Sequence, residues 1–166
     1  MRFASLASLA ALAIVITAAA KDKGLVVPLK TSEGADAGTA TFIQSKSGHL
    51  EVTFAVKGIQ SGVHGFHIHQ NPVCDAPDFK AAGPHIGEPG MHQHENLTIS
   101  PDGNTPRRFE FTGLTFGTGK ENDVLVKGAS IVIHEKADDM TSDPTGNAGN
   151  RIACGMIPAA SAPTQP

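Results

Sequence analysis

The chain predicts an all-β fold, a sandwich or barrel of Greek-key type with seven or eight short strands and two long functional loops. Three observations carry that prediction. Segments of strand character recur between turn signals, no stretch shows a convincing helical period, and 18 Gly with 11 Pro suit a chain that turns often. A length of 166 residues gives room for one domain with a sizeable core.

The elements follow in order. Leu25-Val26-Val27-Pro28-Leu29 is a first strand, and Pro28, which lacks a backbone donor, argues for an edge position. Thr39 to Ile43 and Leu50 to Val56 alternate in polarity, and Ser45-Lys46-Ser47-Gly48 between them reads as a hairpin turn. Gly62 to Gln70 is the next strand. Another ends at Ile99 before the turn Pro101-Asp102-Gly103, and Arg108 to Phe111 resumes strand character. Ser130-Ile131-Val132-Ile133 lies at the heart of a buried strand from Ala129 to His134, and Arg151 to Ile157 is the last. Two irregular stretches remain, Asn71 to Glu95 and Ala137 to Asn150. Loops that long in a compact domain usually carry function.

Residues 1–20 stand apart from this pattern. Met1-Arg2 is a short positive start, Phe3 to Thr17 is almost wholly apolar, and Ala18-Ala19-Ala20 offers small residues for cleavage. The run is shorter than the ~20 residues a spanning helix needs. The expectation is a secretory leader over 1–20, a domain over 21–157 and a disordered Pro/Ala/Ser/Thr-rich tail over 158–166. The protein is then periplasmic or secreted. The net charge of −3 becomes −4 when Arg2 leaves with the leader, which argues against nucleic acid or an anionic membrane as partner. Cys74 and Cys154, alone in an exported chain, suggest one disulfide that pins the loop after His69 to the segment holding Arg151.

The chemistry concentrates in histidines. His67 and His69 stand two apart on a strand, so their rings share a face. His64, His85, His92, His94 and His134 bring the count between positions 64 and 134 to seven of the eight histidines. So much imidazole with so little thiolate suits copper, zinc, iron or nickel. His49 is most simply a surface residue of the hairpin.

Four blocks then resemble one family. Gly65-Phe66-His67-Ile68-His69, Ala82-Gly83-Pro84-His85, Val132 to Asp139, and Gly146-Asn147-Ala148-Gly149-Asn150-Arg151-Ile152-Ala153-Cys154-Gly155 resemble the copper–zinc superoxide dismutases. The likeness runs over about residues 24 to 157, in the right order. It implies an eight-stranded Greek-key β-barrel that converts superoxide to dioxygen and hydrogen peroxide. It implies copper on His67, His69, His85 and His134, with His85 also bridging to zinc and carrying a proton. It implies Arg151 as the holder of the superoxide anion, a Cys74–Cys154 disulfide, and Asp138 as the carboxylate linking a copper-site histidine to a zinc-site one. His64 matches a structural position in such proteins.

The zinc half departs from the family pattern. The loop after His85 is shorter by about ten residues, and its remaining candidates are His92, His94 and Glu95. Either His92 and Glu95 keep the spacing of the second histidine and the acid, or His92 and His94 take both histidine places with Glu95 or Glu88 as the carboxylate. Either set, with His85, suits zinc. A copper-only dismutase, a non-catalytic copper-binding or copper-delivery protein, and a zinc-only structural domain are the alternatives; Arg151 beside a full copper set favours the enzyme. The second loop, at Asp143-Pro144-Thr145, is short where many members carry charges that guide superoxide. Arg151 is therefore expected to supply most of the local attraction. Monomer and homodimer both stay open, since dimer surfaces differ within the family.

Overall fold

The computed structural model describes residues 24–86, 95–102, 105 and 108–160. The leader expected over 1–20, together with Glu88, His92, His94 and residues 161–166, lies outside the described residues. The strands are β1 (Leu25–Thr31), β2 (Asp36–Gln44), β3 (His49–Val56), β4 (Gly62–His69), β5 (Glu95–Ile99), β6 (Arg108–Thr115), β7 (Ala129–His134) and β8 (Arg151–Ile157). They hydrogen-bond antiparallel in the order β5-β4-β7-β8-β1-β2-β3-β6, a Greek-key sheet that curls into a nearly closed barrel.

Alternation explains what lies inside. Val27 and Leu29 on β1, Leu50, Val52, Phe54 and Val56 on β3, Phe66 and Ile68 on β4, and Phe109 and Phe111 on β6 all point into one core. Phe66 is its centre, with Phe54 and Phe109 meeting its ring edge to face at 4.8 and 4.7 Å. Each such ring contributes about 1.5–3 kcal/mol by leaving water. The strand at 129–134 is buried at every position because both of its faces are covered. Ile131 and Ile133 face the barrel core, while Val132 faces a second, small cluster with Phe79, Ala82 and Cys154. That cluster packs under the loop after β4. Cys74 and Cys154 are bonded, their Cα atoms 5.7 Å apart, which ties this loop to β8.

The hairpin turn falls where the sequence puts it, with the Gly48 amide bonded to the Ser45 carbonyl at 3.0 Å. Three details differ from expectation. Pro28 is not on an edge strand, for β1 lies between β8 and β2. It is tolerated because the ladder to β8 reaches only Lys30 and Thr31, so nothing on that side needs a donor from residue 28. Val124–Lys127 forms one turn of α-helix, capped by the Asp123 carboxylate on the Leu125 amide at 2.9 Å. Four residues are too few to show a helical period. His49 is half-buried at the start of β3 rather than a free surface residue.

Candidate metal centre

Strand geometry builds most of the site. Phe66 and Ile68 point into the barrel, so His67 and His69 point to its outer face, where loops cover both completely. The β4–β7 ladder pairs His67 with Val132 and His69 with Ser130. His134, two residues past Val132, comes up on the same face. His85 arrives from the loop and is held by backbone: it bridges to His69, while the Ile86 amide donates to the Ile68 carbonyl at 2.8 Å and the Gln70 amide to Pro84 at 3.0 Å. These four imidazoles offer nitrogens that all lie within 4.8 Å of one another.

The hydrogen bonds set each ring's tautomer. Nδ1 of His69 donates to the Gly83 carbonyl at 2.8 Å, and Nδ1 of His134 to the Gly149 carbonyl at 3.2 Å. A carbonyl can only accept, so in the neutral ring each Nε2 keeps its lone pair. Both Nε2 atoms are buried without a hydrogen-bond partner among the described residues. Leaving such an atom unsatisfied costs about 1–3 kcal/mol, which a metal bond removes. Burial pushes the His69 pKa down to about 3 and also lowers that of His134. Neutral, converging imidazoles are what a transition metal requires.

Asp138 steadies His67, its Oδ2 accepting from Nε2 at 2.8 Å with both side chains buried. The nitrogen left for a metal is Nδ1. Asn96, which sequence reading missed, clamps Asp138 twice: its Oδ1 accepts from the Asp138 amide at 2.8 Å and its Nδ2 donates to the carbonyl at 2.9 Å. Gly146 has φ of +59°, and a Cβ there would run into the Asp138 carboxylate. Such contacts carry no signature in sequence, because an Asn in a short strand or a Gly in a loop has many uses. Both ring nitrogens of His64 lie against backbone carbonyls, of His134 at 2.8 Å and Gln60 at 3.0 Å, and the ring is not one of the four that converge.

Arg151 opens β8 opposite His134. Its Nη1 donates to the Phe79 carbonyl at 2.7 Å and its Nη2 to the Gly83 carbonyl at 2.8 Å. The Gly83 carbonyl therefore serves both His69 and Arg151. Burial lowers the guanidinium pKa, opposed by Asp78, yet an arginine stays charged at working pH. His85, His134 and Arg151 share a cavity of about 740 Å³, whose walls also include Asp78, Lys80 and Glu135. The site thus joins a nitrogen-donor cluster to a fixed cation in a space that small solutes can enter. Of the residues proposed for zinc, Glu95 begins β5 opposite Phe66, directly before Asn96.

The fold and site define a metalloprotein with an imidazole centre on the outer wall of a Greek-key barrel. Residues 36–157 match the copper/zinc superoxide dismutase family, and the chain belongs to it. It is 37% identical over 145 residues to a Cu–Zn superoxide dismutase of Deinococcus radiodurans, covering 74% of this chain and 77% of that one. It is 35% identical over 144 residues to a second, from Aquifex aeolicus, covering 75% and 82%. A double mutant of a SOD-like protein from Bacillus subtilis superposes with a TM-score of 0.74 at 29% identity, over 82% of this chain and 98% of that one. The Cu/Zn superoxide dismutase of Brucella abortus shares the fold, with a TM-score of 0.63 at 23% identity, over 81% and 99%.

Proposed function

We propose that this chain dismutes superoxide, two anions and two protons giving dioxygen and hydrogen peroxide, with copper held by His67, His69, His85 and His134. Copper, when bound, supplies the one-electron couple that the reaction needs, whereas zinc has no such couple and serves structure. The observation that carries this is the junction of four imidazoles with a carbonyl-anchored guanidinium in one cavity. Arg151 attracts and orients the anion, since its charge persists at any working pH and its donors are rigidly spaced. His85 lines the same cavity and is placed to hold a proton at a ring nitrogen and pass it to the departing peroxide. Asp138 fixes the His67 ring, as a carboxylate behind a metal-bound imidazole does.

For zinc we assign His85, His92, His94 and Glu95. Three imidazoles and a carboxylate are a tetrahedral zinc set. Glu95 lies one residue from the Asn96 clamp on Asp138, which brings its strand next to the copper side. Residues 1–20 are assigned as an export leader and the protein to the periplasm or the extracellular space, where a bond such as Cys74–Cys154 persists. Among the described residues, no helix is long and apolar enough to cross a membrane.

The test is metal analysis of the copper- and zinc-loaded protein beside a superoxide-consumption assay. One copper and one zinc per chain, with activity abolished by His134→Ala, are expected. Copper with activity but no zinc removes the His92, His94 and Glu95 assignment. Copper bound without activity replaces the enzyme with a copper carrier.

A further inference from the structure

Phe79 adopts a backbone conformation that few bulky residues accept, with φ 52° and ψ 23°. Left-handed backbone is uncommon outside glycine, and it persists only where the surroundings enforce it. Here they do. The ring is 1% exposed and packs with Val132, Ala82 and Cys154, outside the barrel core. Its amide donates to the Asp75 carbonyl at 3.0 Å. Phe79 then opens a single 3-10 turn, Lys80–Ala82, which closes at Gly83.

That turn presents the two carbonyls that grip Arg151. The Phe79 carbonyl accepts from the Ala82 amide at 3.1 Å as well as from Nη1 of Arg151. The Gly83 carbonyl accepts from Nη2 and from His69. An arginine side chain has many rotamers, and two acceptors at one fixed spacing select a single one. The acceptors belong to a surface loop, so something must keep the loop still. The disulfide anchors its start at Cys74 and the backbone bridge to His69 anchors its end at His85. Between them, the turn is held down by the Phe79 ring.

We propose that Phe79 is a positioning residue for anion capture: its buried ring locks the 3-10 turn, and the turn's carbonyls aim Arg151 into the cavity. The inference rests on the anion-holding role assigned to Arg151 above. It predicts that removing the ring loosens the guanidinium and leaves the strand-borne histidines where they are.

The experiment titrates azide, a small linear monoanion, into copper- and zinc-loaded protein and follows the copper absorption spectrum. Phe79→Ala is expected to weaken azide binding by about tenfold, inside the ~10²-fold that a 1 Å misplacement can cost. Phe79→Leu, which keeps an apolar anchor, is expected within about threefold of wild type, since buried volume is what matters. Combined with Arg151→Ala, the Phe79→Ala change is expected to add nothing. An equal loss in the Arg151→Ala background overturns the proposal. So does an unchanged affinity in Phe79→Ala at full copper content. Should Phe79→Ala fail to fold, the smaller Phe79→Val decides: a lowered melting temperature with wild-type azide affinity overturns it as well. If Arg151→Ala alone leaves azide binding unchanged, the fault lies with the role of Arg151 and not with Phe79.

Discussion

The two halves of the proposed copper site are held in different ways. His67, His69 and His134 stand on β4 and β7, strands locked into the barrel by ladders on both sides and buried at 0 to 5% exposure. His85 and the guanidinium of Arg151 depend on the segment between β4 and β5, which has only one 3-10 turn of regular structure among its described residues. The strand half inherits the stability of the whole core. The loop half is made rigid locally, by a disulfide, a buried ring and a few carbonyls. Metal retention and substrate handling should therefore respond to different substitutions.

The largest effect expected comes from removing the cross-link. Replacing both cysteines, Cys74→Ser with Cys154→Ser, frees a loop of 80 residues and should destabilise the fold by about 4–5 kcal/mol on chain-entropy grounds. Denaturant midpoints under non-reducing conditions measure this. If the halves are separately held, the folded variant keeps its copper against a chelator while superoxide consumption drops. Parallel loss of copper and activity would show that the loop half, through His85, governs metal retention as well, and the contrast would fail.

Asp138→Asn probes the strand half alone. The amide keeps the size of the carboxylate but removes the negative charge that His67 Nε2 faces at 2.8 Å. Loss of a partner behind a ligand typically costs 10–100-fold in metal affinity. Competition with a chelator of known strength should show a drop of about that size, with azide binding to the copper that remains little changed. A larger loss for azide than for copper would place Asp138 in the loop half instead.

The contrast also explains what sequence could reveal. The strand histidines were legible as candidates because alternation alone puts His67 and His69 on one face, and because the apolar run ending at His134 marks a buried strand. His85 was one of several candidates in the histidine cluster until family resemblance gave it a role, and Arg151 and Asp138 came from that resemblance alone, as nothing in their spacing fixes where a loop returns. Phe79, Gly83 and Asn96 were not legible. Phe79 and Gly83 act through backbone carbonyls that every residue owns, and Asn96 acts on backbone. Pro28 misled for a related reason. An edge in sequence terms became an interior strand whose ladder to β8 stops short of it.

The smallest effect concerns charge at the cavity mouth. With the second loop short, Arg151 was expected to supply most of the attraction. The cavity wall carries two cations, Lys80 and Arg151, and two anions, Asp78 and Glu135. Lys80 is already paired with Asp78 at 2.8 Å, so these two largely cancel toward an approaching ion. What remains is Arg151 within and Glu135 at the rim, the latter accepting from the Asn150 side chain at 3.0 Å but in no ion pair among the described residues. Glu135 therefore opposes the anion that Arg151 draws in. Glu135→Gln keeps the Asn150 contact and removes the charge. Its second-order rate with superoxide should rise about twofold at low ionic strength, the size expected for one exposed charge acting over ~10 Å of water. The gain should vanish near 0.5 M salt, where screening shortens the reach of surface charges to below ~10 Å. A gain that survives high salt would mean that Glu135 acts on the site by contact and not by its field. That would place it in the loop half, next to Arg151.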